Sequence, residues 1–214
     1  MKVGIIDYGV GNLGSIARAL EQLRVSPVLV DRAIDIHAND ALILPGVGNF
    51  TDCMQILQQG GWVNAIKEEV NNYNRPLLGI CLGMQLLANF GLEGALDSNI
   101  GTEGLGLIPG RVVSLTSQGC SLRVPHVGWN SITKLVDSKP CLLDGIIDGT
   151  DFYFVHSYVF IADEQKNILA KAEYDISFTA AVGVGRVWGT QFHPEKSSRA
   201  GMQLLRNFIY SQRC

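Results

Sequence analysis

The sequence lacks the features that mark several large classes of protein. Its 214 residues contain only five cysteines, an odd number without a CxxC pair, which argues against a disulfide framework and a zinc site. No apolar run reaches the length of a membrane-spanning helix. A reducing cytoplasm therefore fits this chain best. The cysteines are Cys53, Cys81, Cys120, Cys141 and Cys214.

Charged residues are neither abundant nor clustered. Lys and Arg number 17 against 20 Asp and Glu, and the absence of a basic stripe argues against nucleic-acid binding. Apolar residues make up 47% of the chain without low-complexity tracts, so we expect a folded protein. The opening MKVGIIDYG predicts a first strand rather than a signal peptide. The length and uniform texture indicate one domain, residues 1–214.

The first half of the chain alternates strand and helix patterns. This alternation predicts βαβ units and a parallel sheet. The predicted strands are residues 3–7, 28–30, 41–44 and 77–80. The predicted helices are residues 12–24, 51–72, with Thr51 as N-cap and a break at Gly60-Gly61, and 82–90.

The second half changes to strand patterns separated by turn residues. The predicted strands are residues 111–116, 130–136, 151–161, 168–174, 178–184 and 186–192. Because few helices intervene, we expect an antiparallel extension of a mixed sheet. Residues 197–210 predict a closing helix.

The segment LGICLGMQ, residues 78–85, places Cys81 between two glycines directly after an apolar run. A G-x-nucleophile-x-G pattern between a strand and a helix is typical of a nucleophile elbow. A helix N-terminus would favour the thiolate form of the cysteine. The alternative is a core cysteine with incidental glycines.

A thiol nucleophile needs a base, and His193 is the candidate among the four histidines. It follows a predicted strand and precedes the last helix, and Glu195 could orient its imidazole. The alternative is a strand-end histidine beside a solvated glutamate. His37 lies in a polar segment and is expected at the surface. A metal site at His193 and Glu195 is disfavoured because no third ligand is evident.

A competing signal stands near the N-terminus. Residues 9–14 form a literal G-x-G-x-x-G after the first strand, and Asp31 follows the second, as in a dinucleotide-binding fingerprint. Two residues separate the apolar run from the first glycine, and nothing downstream resembles a hydride-transfer site. A tight glycine turn into the first helix is the simpler interpretation.

Several motifs together resemble class I (triad) glutamine amidotransferases. They are Pro45-Gly46-Val47-Gly48 and the segments at 79–87 and 189–196. Two more, PHVGWN at 125–130 and YFVHSY at 153–158, narrow the resemblance to the glutaminase subunits of imidazole glycerol phosphate synthases. The resemblance implies a three-layer flavodoxin-like fold: a central, mostly parallel mixed sheet, helices on both faces and an antiparallel extension. It implies no metal or organic cofactor.

The resemblance also implies roles for individual residues. Cys81 would be the nucleophile, His193 the base and Glu195 its orienter. The backbone N–H of Leu82 and the loop Gly46-Val47-Gly48 would form or gate the oxyanion hole. Gln85, Glu93, His156, Ser157 and Tyr158 match glutamine-binding positions, with Glu93 in a segment, residues 90–94, that departs from the family pattern.

A partner is part of the same resemblance: a (βα)₈-barrel cyclase, joined as a 1:1 heterodimer, that receives ammonia and makes imidazole glycerol phosphate and AICAR in histidine biosynthesis. Val47 stands where many class I relatives have glycine, so the loop should flip less freely and glutamine hydrolysis should depend on the liganded cyclase. The matching interface residues are Gly11, Asn12, Trp129, Tyr153 and Lys196.

Other functions stay open at this point. A paralogous subunit could supply ammonia for an amino-sugar step in surface-polysaccharide biosynthesis, and departures at Gly91-Leu92 and in residues 95–101 allow it. A stand-alone cysteine hydrolase and a dinucleotide-binding regulatory module are the remaining alternatives. Cys53, Cys120, Cys141 and Cys214 are interpreted as structural or incidental.

Overall fold

A computed structural model describes residues 1–97, 100–135 and 141–210. Val136, Cys214 and the side chain of Cys141, on which predictions were made, lie outside this description. Among the described residues, no helix combines the length and apolar character needed to span a membrane.

The alternation of strands and helices in the first half is confirmed. The elements are β1 (Lys2–Ile6), α1 (Leu13–Gln22), β2 (Ser26–Val30), β3 (Ala41–Leu44), α2 (Phe50–Gln59), α3 (Trp62–Asn71), β4 (Leu77–Ile80) and α4 (Leu82–Gln85). Gly61, with a φ of 73°, separates α2 from α3, so the predicted break is correct. The predicted cap was wrong: Asn49, not Thr51, precedes α2 and accepts a hydrogen bond from the Asp52 N–H.

The helix predicted over residues 82–90 ends after one turn. The backbone N–H groups of Leu87 and Ala88 reach back only three residues, and Asn89 N–H bonds the Gly110 carbonyl. Residues 86–88 are buried on every side, so their apolar pattern could not mark where the helix ends.

The second half contains β5 (Phe90–Gly91), β6 (Thr102–Glu103), β7 (Gly110–Ser114), β8 (His126–Lys134), β9 (Asp151–His156), β10 (Tyr158–Ala162), β11 (Ile168–Tyr174), β12 (Ile176–Val184), β13 (Val187–Thr190) and α5 (Ser198–Tyr210). The single strand predicted over residues 151–161 was wrong. The chain breaks at Ser157, because β9 pairs with β8 whereas β10 pairs with β7 in a different sheet.

Two sheets result from these pairings. The large one has the order β2-β1-β3-β4-β13-β12-β11-β8-β9, parallel from β2 to β13 and antiparallel beyond. Its first four strands have the flavodoxin-like order, as the resemblance implied. The second sheet, β10-β7-β5-β6, was not predicted, since two of its strands have only two residues each.

Helices cover both faces of the large sheet. Helices α1 and α5 contribute Ile16, Leu20, Leu204 and Phe208 to one buried cluster. Helices α2 and α3 contribute Phe50, Leu57 and Ile66 to the other. The carboxyl ends of β4 and β13 lie between these layers, at the edge where parallel α/β sheets bind ligands.

Candidate active site

Cys81 occupies the turn between β4 and α4 in a conformation that few residues other than glycine adopt. Its φ is 56° and its ψ is −112°. Such a backbone is strained and persists where the surroundings enforce it, often at functional sites. The predicted strand–turn–helix context is therefore confirmed, although the helix after it has only four residues and its dipole is correspondingly small.

The two flanking glycines are required by close approach. A Cβ on Gly79 would lie 2.5 Å from the Gly83 carbonyl oxygen, inside the turn itself. A Cβ on Gly83 would lie 1.9 Å from the carbonyl oxygen of Leu44, at the end of β3. The glycines therefore let the turn fold onto itself and onto the neighbouring strand.

Sheet pairing brings the base to the nucleophile across 112 residues of sequence. Ile80 and Thr190 are register partners of β4 and β13, and Cys81 N–H donates to the Thr190 carbonyl at 2.8 Å. The chain leaving β13 then places His193 beside Cys81. His193 Nδ1 lies 2.8 Å from Glu195 Oε1, and both side chains are buried.

The environment of His193 favours its protonated form. Burial lowers the pKa of the imidazole, but interactions with Cys81 and Glu195 outweigh burial and raise the pKa to about 9. His193 Nε2 and Glu195 Oε2 are both buried without a hydrogen-bond partner among the described residues. The ring nitrogen opposite the glutamate thus makes no direct hydrogen bond, and it is available for proton transfer with the neighbouring Cys81.

The Cys81 sulfur has two polar neighbours besides the triad. Its thiol contacts the Val155 carbonyl at 3.6 Å, and Gln191 Nε2 approaches the sulfur at 3.9 Å. Sequence reasoning did not assign Gln191 a role. Its position two residues before His193 was the available signal, and its complete burial is seen only in the structure.

A pocket of about 240 Å³ opens at Cys81, and most of the residues predicted to bind glutamine line it. Its predicted lining residues are Val47, Gly48, Cys81, Leu82, Gln85, Glu93, His156, Ser157, Tyr158 and His193. Pro125 and Val155 also line it and had no predicted role. Gly46 does not line it, because this residue packs behind the pocket, where a Cβ would lie 2.8 Å from the Gly83 nitrogen.

Two polar side chains of the pocket are already partly engaged. Gln85 Nε2 donates to the Tyr158 carbonyl at 3.0 Å and to Gln191 Oε1 at 2.9 Å, which leaves its Oε1 for a ligand. A Glu93 carboxylate oxygen accepts from Phe50 N–H at 3.1 Å. Burial raises the pKa of Glu93, and this hydrogen bond opposes the rise.

The loop from Pro45 to Gly48 is held at two of its carbonyls. Tyr8 hydroxyl donates to the Pro45 carbonyl at 3.0 Å, and the Cys53 thiol contacts the Val47 carbonyl at 3.6 Å. Burial raises the pKa of both side chains, so both stay protonated donors at neutral pH. In the described part of the chain, the Gly46–Val47 peptide makes no hydrogen bond.

Three predicted interface residues form one cluster near the triad, in which Trp129 and Lys196 are exposed and Tyr153 is half-buried. Trp129 and Tyr153 face each other across β8 and β9, with ring centroids 6.0 Å apart, and Lys196 Nζ lies 5.7 Å from the Tyr153 ring centroid. Tyr153 lies 6.4 Å from the His193 ring. Asn12 precedes α1, but its side chain makes no capping bond there.

Gly11 lies beside the Pro45 loop, where a Cβ would come within 3.2 Å of the Pro45 ring. The G-x-G-x-x-G motif therefore forms a tight turn against this loop. The strand order 2-1-3-4 differs from the 3-2-1-4 order of dinucleotide-binding folds. The motif therefore does not stand in the fold in which it binds a dinucleotide.

A larger pocket, about 690 Å³, lies elsewhere, beside α3. His37, Glu68 and Tyr73 are among its lining residues, and no cysteine is. Pocket size therefore does not mark the reactive site, which is identified by its nucleophile and base.

Comparisons with known proteins identify relatives of this chain. Residues 4–212 match the family described as Glutamine amidotransferase class-I. "Imidazole glycerol phosphate synthase subunit HisH" of Geobacillus sp. (strain WCH70) is 46% identical over 209 residues, covering 96% of this chain and 95% of that protein. "Imidazole glycerol phosphate synthase subunit HisH 1" of Prochlorococcus marinus (strain MIT 9313) is 46% identical over 213 residues, covering 98% and 97%.

Solved structures show the same fold at lower identity. One is described as a glutamine amidotransferase, with a TM-score of 0.73, 21% identity, and coverage of 97% of this chain and 96% of that chain. Another is PurLQS from Thermotoga maritima, with a TM-score of 0.74, 17% identity, and coverage of 99% and 98%.

Proposed function

We infer the chemistry of this chain from its family: it belongs to the class I glutamine amidotransferases and, within them, to the HisH subunits of imidazole glycerol phosphate synthase. It hydrolyses glutamine to glutamate and ammonia for histidine biosynthesis. The observation that carries this function is Cys81, held at positive φ in the pocket beside the His193–Glu195 pair. We further propose one amidotransferase domain, residues 1–214, and a cytoplasmic location.

Cys81 is the proposed nucleophile. Its thiol passes the proton to His193 Nε2, and the thiolate sulfur attacks the carboxamide carbon of glutamine. The C=O π electrons move to oxygen and give a tetrahedral oxyanion. The Leu82 N–H and an N–H of the Gly46–Gly48 loop are the proposed donors to that oxygen.

His193 then acts as an acid. It returns the proton to the amide nitrogen, the C–N bond breaks, and ammonia leaves a thioester on Cys81. Water, deprotonated by His193, hydrolyses the thioester to glutamate and the free thiol. Glu195 keeps the imidazole oriented with Nε2 toward the sulfur, and its buried carboxylate stabilises the imidazolium.

Glutamine recognition is proposed for the remaining pocket residues. The Gln85 Oε1 atom and the Glu93 carboxylate are acceptors suited to the α-ammonium group of glutamine. The segment His156-Ser157-Tyr158 lines the pocket at the break between β9 and β10. Val155 and Pro125 complete the wall.

A (βα)₈-barrel cyclase is the proposed partner, in a 1:1 heterodimer. The support is the surface cluster of Trp129, half-buried Tyr153 and Lys196. It lies close to His193, so ammonia released there has a short path to this face. Gly11 and Asn12 are proposed to extend the same interface. The HisH relatives favour this partner over the amino-sugar alternative.

The test is glutamate production from glutamine by the chain alone and with the cyclase subunit, with and without the cyclase's ligand. We expect strong stimulation by the liganded cyclase. Cys81→Ala should lower turnover by at least about 10³-fold, because it removes the nucleophile. Glu195→Gln should lower it by about 10²–10⁴-fold with little change in KM.

Cys120→Ala is the matched control, since Cys120 is equally buried but lies outside the pocket. Its activity should stay within about twofold of the native chain. Full turnover by the isolated chain would contradict dependence on a partner while leaving the triad intact. Native activity in Cys81→Ala would contradict the nucleophile.

A further inference from the structure

A chain of polar side chains, of which the two imidazoles are buried, links strand β8 to the glutamine pocket. Asn130 Nδ2 lies 2.9 Å from the Glu173 carbonyl, and Asn130 Oδ1 lies 2.8 Å from His126 Nε2. His126 Nδ1 lies 3.0 Å from His156 Nε2. His156 Nδ1 lies 2.9 Å from the Tyr158 carbonyl. Both ends of the chain are thus carbonyl oxygens, which only accept hydrogen bonds.

These contacts require more protons than two neutral imidazoles carry. As placed, the contact to Asn130 needs a proton on His126 Nε2, and the contact to Tyr158 needs one on His156 Nδ1. The contact between the rings needs a third proton. Two neutral imidazoles carry only two, so every contact is satisfied only if the pair holds one net positive charge.

Burial opposes that charge. It lowers the pKa of His126 and lowers the pKa of His156 to about 3, with nearby His193 also disfavouring protonation of His156. Phe154 and Phe178 pack around both rings, and Tyr174 stacks on His126. At neutral pH the pair is therefore uncharged, and one contact must be rearranged.

The Asn130 end is where rearrangement costs least. A half-turn of its carboxamide exchanges Oδ1 and Nδ2, so that the NH₂ group donates to His126 Nε2. Both rings then carry their proton on Nδ1, and the two contacts deeper in the protein are satisfied. The Glu173 carbonyl then loses its donor from Asn130. Because Glu173 is exposed, water can hydrate this carbonyl instead.

We propose that His126 and Asn130 are positioning residues for the glutamine pocket, acting through two neutral Nδ1–H imidazoles that direct a donor onto the Tyr158 carbonyl. That carbonyl also accepts Gln85 Nε2, so its two lone pairs are filled. Gln85 in turn bonds Gln191, which contacts the Cys81 sulfur. The inference rests on the proposed function, because it assigns these residues to glutamine binding.

The direct test is nitrogen-15 NMR of the histidine rings at pH 7.5. Ring-nitrogen shifts and long-range proton couplings separate Nδ1–H, Nε2–H and imidazolium forms, and the chain has only four histidines. We expect the Nδ1–H form for both His126 and His156. An imidazolium in the pair, or the Nε2–H form on either ring, overturns the proposal. This result does not depend on any activity, so it stands apart from the proposed function.

Two variants of His126 test the effect on the pocket in the complex with cyclase. His126→Asn places an amide NH₂ near the position of Nδ1 and keeps the donor to His156, whereas His126→Leu removes it. We expect the KM for glutamine to rise about fivefold or more in His126→Leu and by less than about twofold in His126→Asn, with kcat changed less than KM in both. His37→Asn, at the surface, is the control.

Equal increases in KM for the two variants would mean that His126 acts through packing alone, and would overturn the positioning role. If His126→Leu does not fold, His126→Asn and Asn130→Ala decide. Removing the amide donor in Asn130→Ala should raise the KM by about twofold to fivefold, because His126 then loses the group that holds it in the Nδ1–H form. A KM unchanged in Asn130→Ala would overturn the role of Asn130.

Discussion

The Leu44 carbonyl oxygen fills the space in which Gly83 would carry a side chain, 1.9 Å from the ideal Cβ position. This contact joins the end of β3 to the turn that holds Cys81. It shows that the second glycine of the motif is required by the neighbouring strand. The first, Gly79, is required by the turn itself.

Gly83→Ala is therefore expected to destabilise the chain by at least about 2 kcal/mol, because backbone atoms must shift to relieve the contact. The measurement is urea unfolding of the isolated chain. Gly14→Ala is the control: Gly14 lies in α1, its Cβ would meet only the flexible end of Arg18, and a gain of about 0.5 kcal/mol is expected. Equal stability of Gly83→Ala and the native chain would contradict this account.

His193 should make stability fall at alkaline pH. Its pKa is raised from 6.5 to about 9 in the folded chain, so between these values the folded state binds more protons than the unfolded state. The contribution is complete below about pH 6.5 and is lost as the pH rises through about 9. Urea unfolding between pH 6.5 and 9.5 should show a decline that is reduced in His193→Asn. The same decline in both proteins would refute the assignment.

His156 should make stability fall at acidic pH. Its pKa is lowered to about 3, so between about pH 3 and 6.5 the unfolded chain binds more protons than the folded one. The free energy of unfolding should therefore fall as the pH drops through this range. His156→Gln should flatten that dependence, whereas His37→Asn, at an exposed position, should retain it. Acid unfolding curves of the three proteins decide the matter.

Tyr8→Phe should impair catalysis without impairing glutamine binding. The hydroxyl holds the Pro45 carbonyl, and with Cys53 it restrains the peptides on both sides of Gly46–Val47. Losing one buried hydrogen bond should loosen the proposed oxyanion loop and lower kcat about fivefold, with KM nearly constant. Steady-state kinetics with the liganded cyclase test this. Tyr73→Phe is the control: this exposed residue lies outside the glutamine pocket, and the variant should have native kinetics. A change confined to KM in Tyr8→Phe would count against a role of Tyr8 in holding the loop.

Trp129→Ala should weaken partner binding and leave the isolated chain folded. The side chain is 52% exposed, so its removal costs little packing. A central interface aromatic typically contributes about 2 kcal/mol, which predicts a Kd for the cyclase about 30-fold higher. Calorimetric titration measures this. Ile34→Ala, 75% exposed and far in sequence from the cluster, should bind normally. Native affinity in Trp129→Ala would place the partner on another face.

The local features of the molecule could be predicted from the amino-acid sequence. Apolar periodicity and glycine positions are properties of neighbouring residues, so the β-α alternation, the break at Gly61 and the strand–turn–helix at Cys81 were predicted correctly. The motifs around Cys81 and His193 also indicated the family correctly. The end of helix α4 was not predicted, because residues 86–88 are fully buried and their apolar side chains show no periodicity that distinguishes a helix from a buried loop.

Features that depend on pairing between distant segments could be seen only in the folded molecule. The register of β4 with β13 places Cys81 beside His193, and no local signal specifies a pairing across more than 100 residues. The exchange of β9 and β10 between two sheets breaks the strand at Ser157, although the sequence there is continuous in pattern. The chain of polar contacts from Asn130 to Tyr158 is formed in the same way, because these groups become partners only once the pairing of β8 with β9 brings them together.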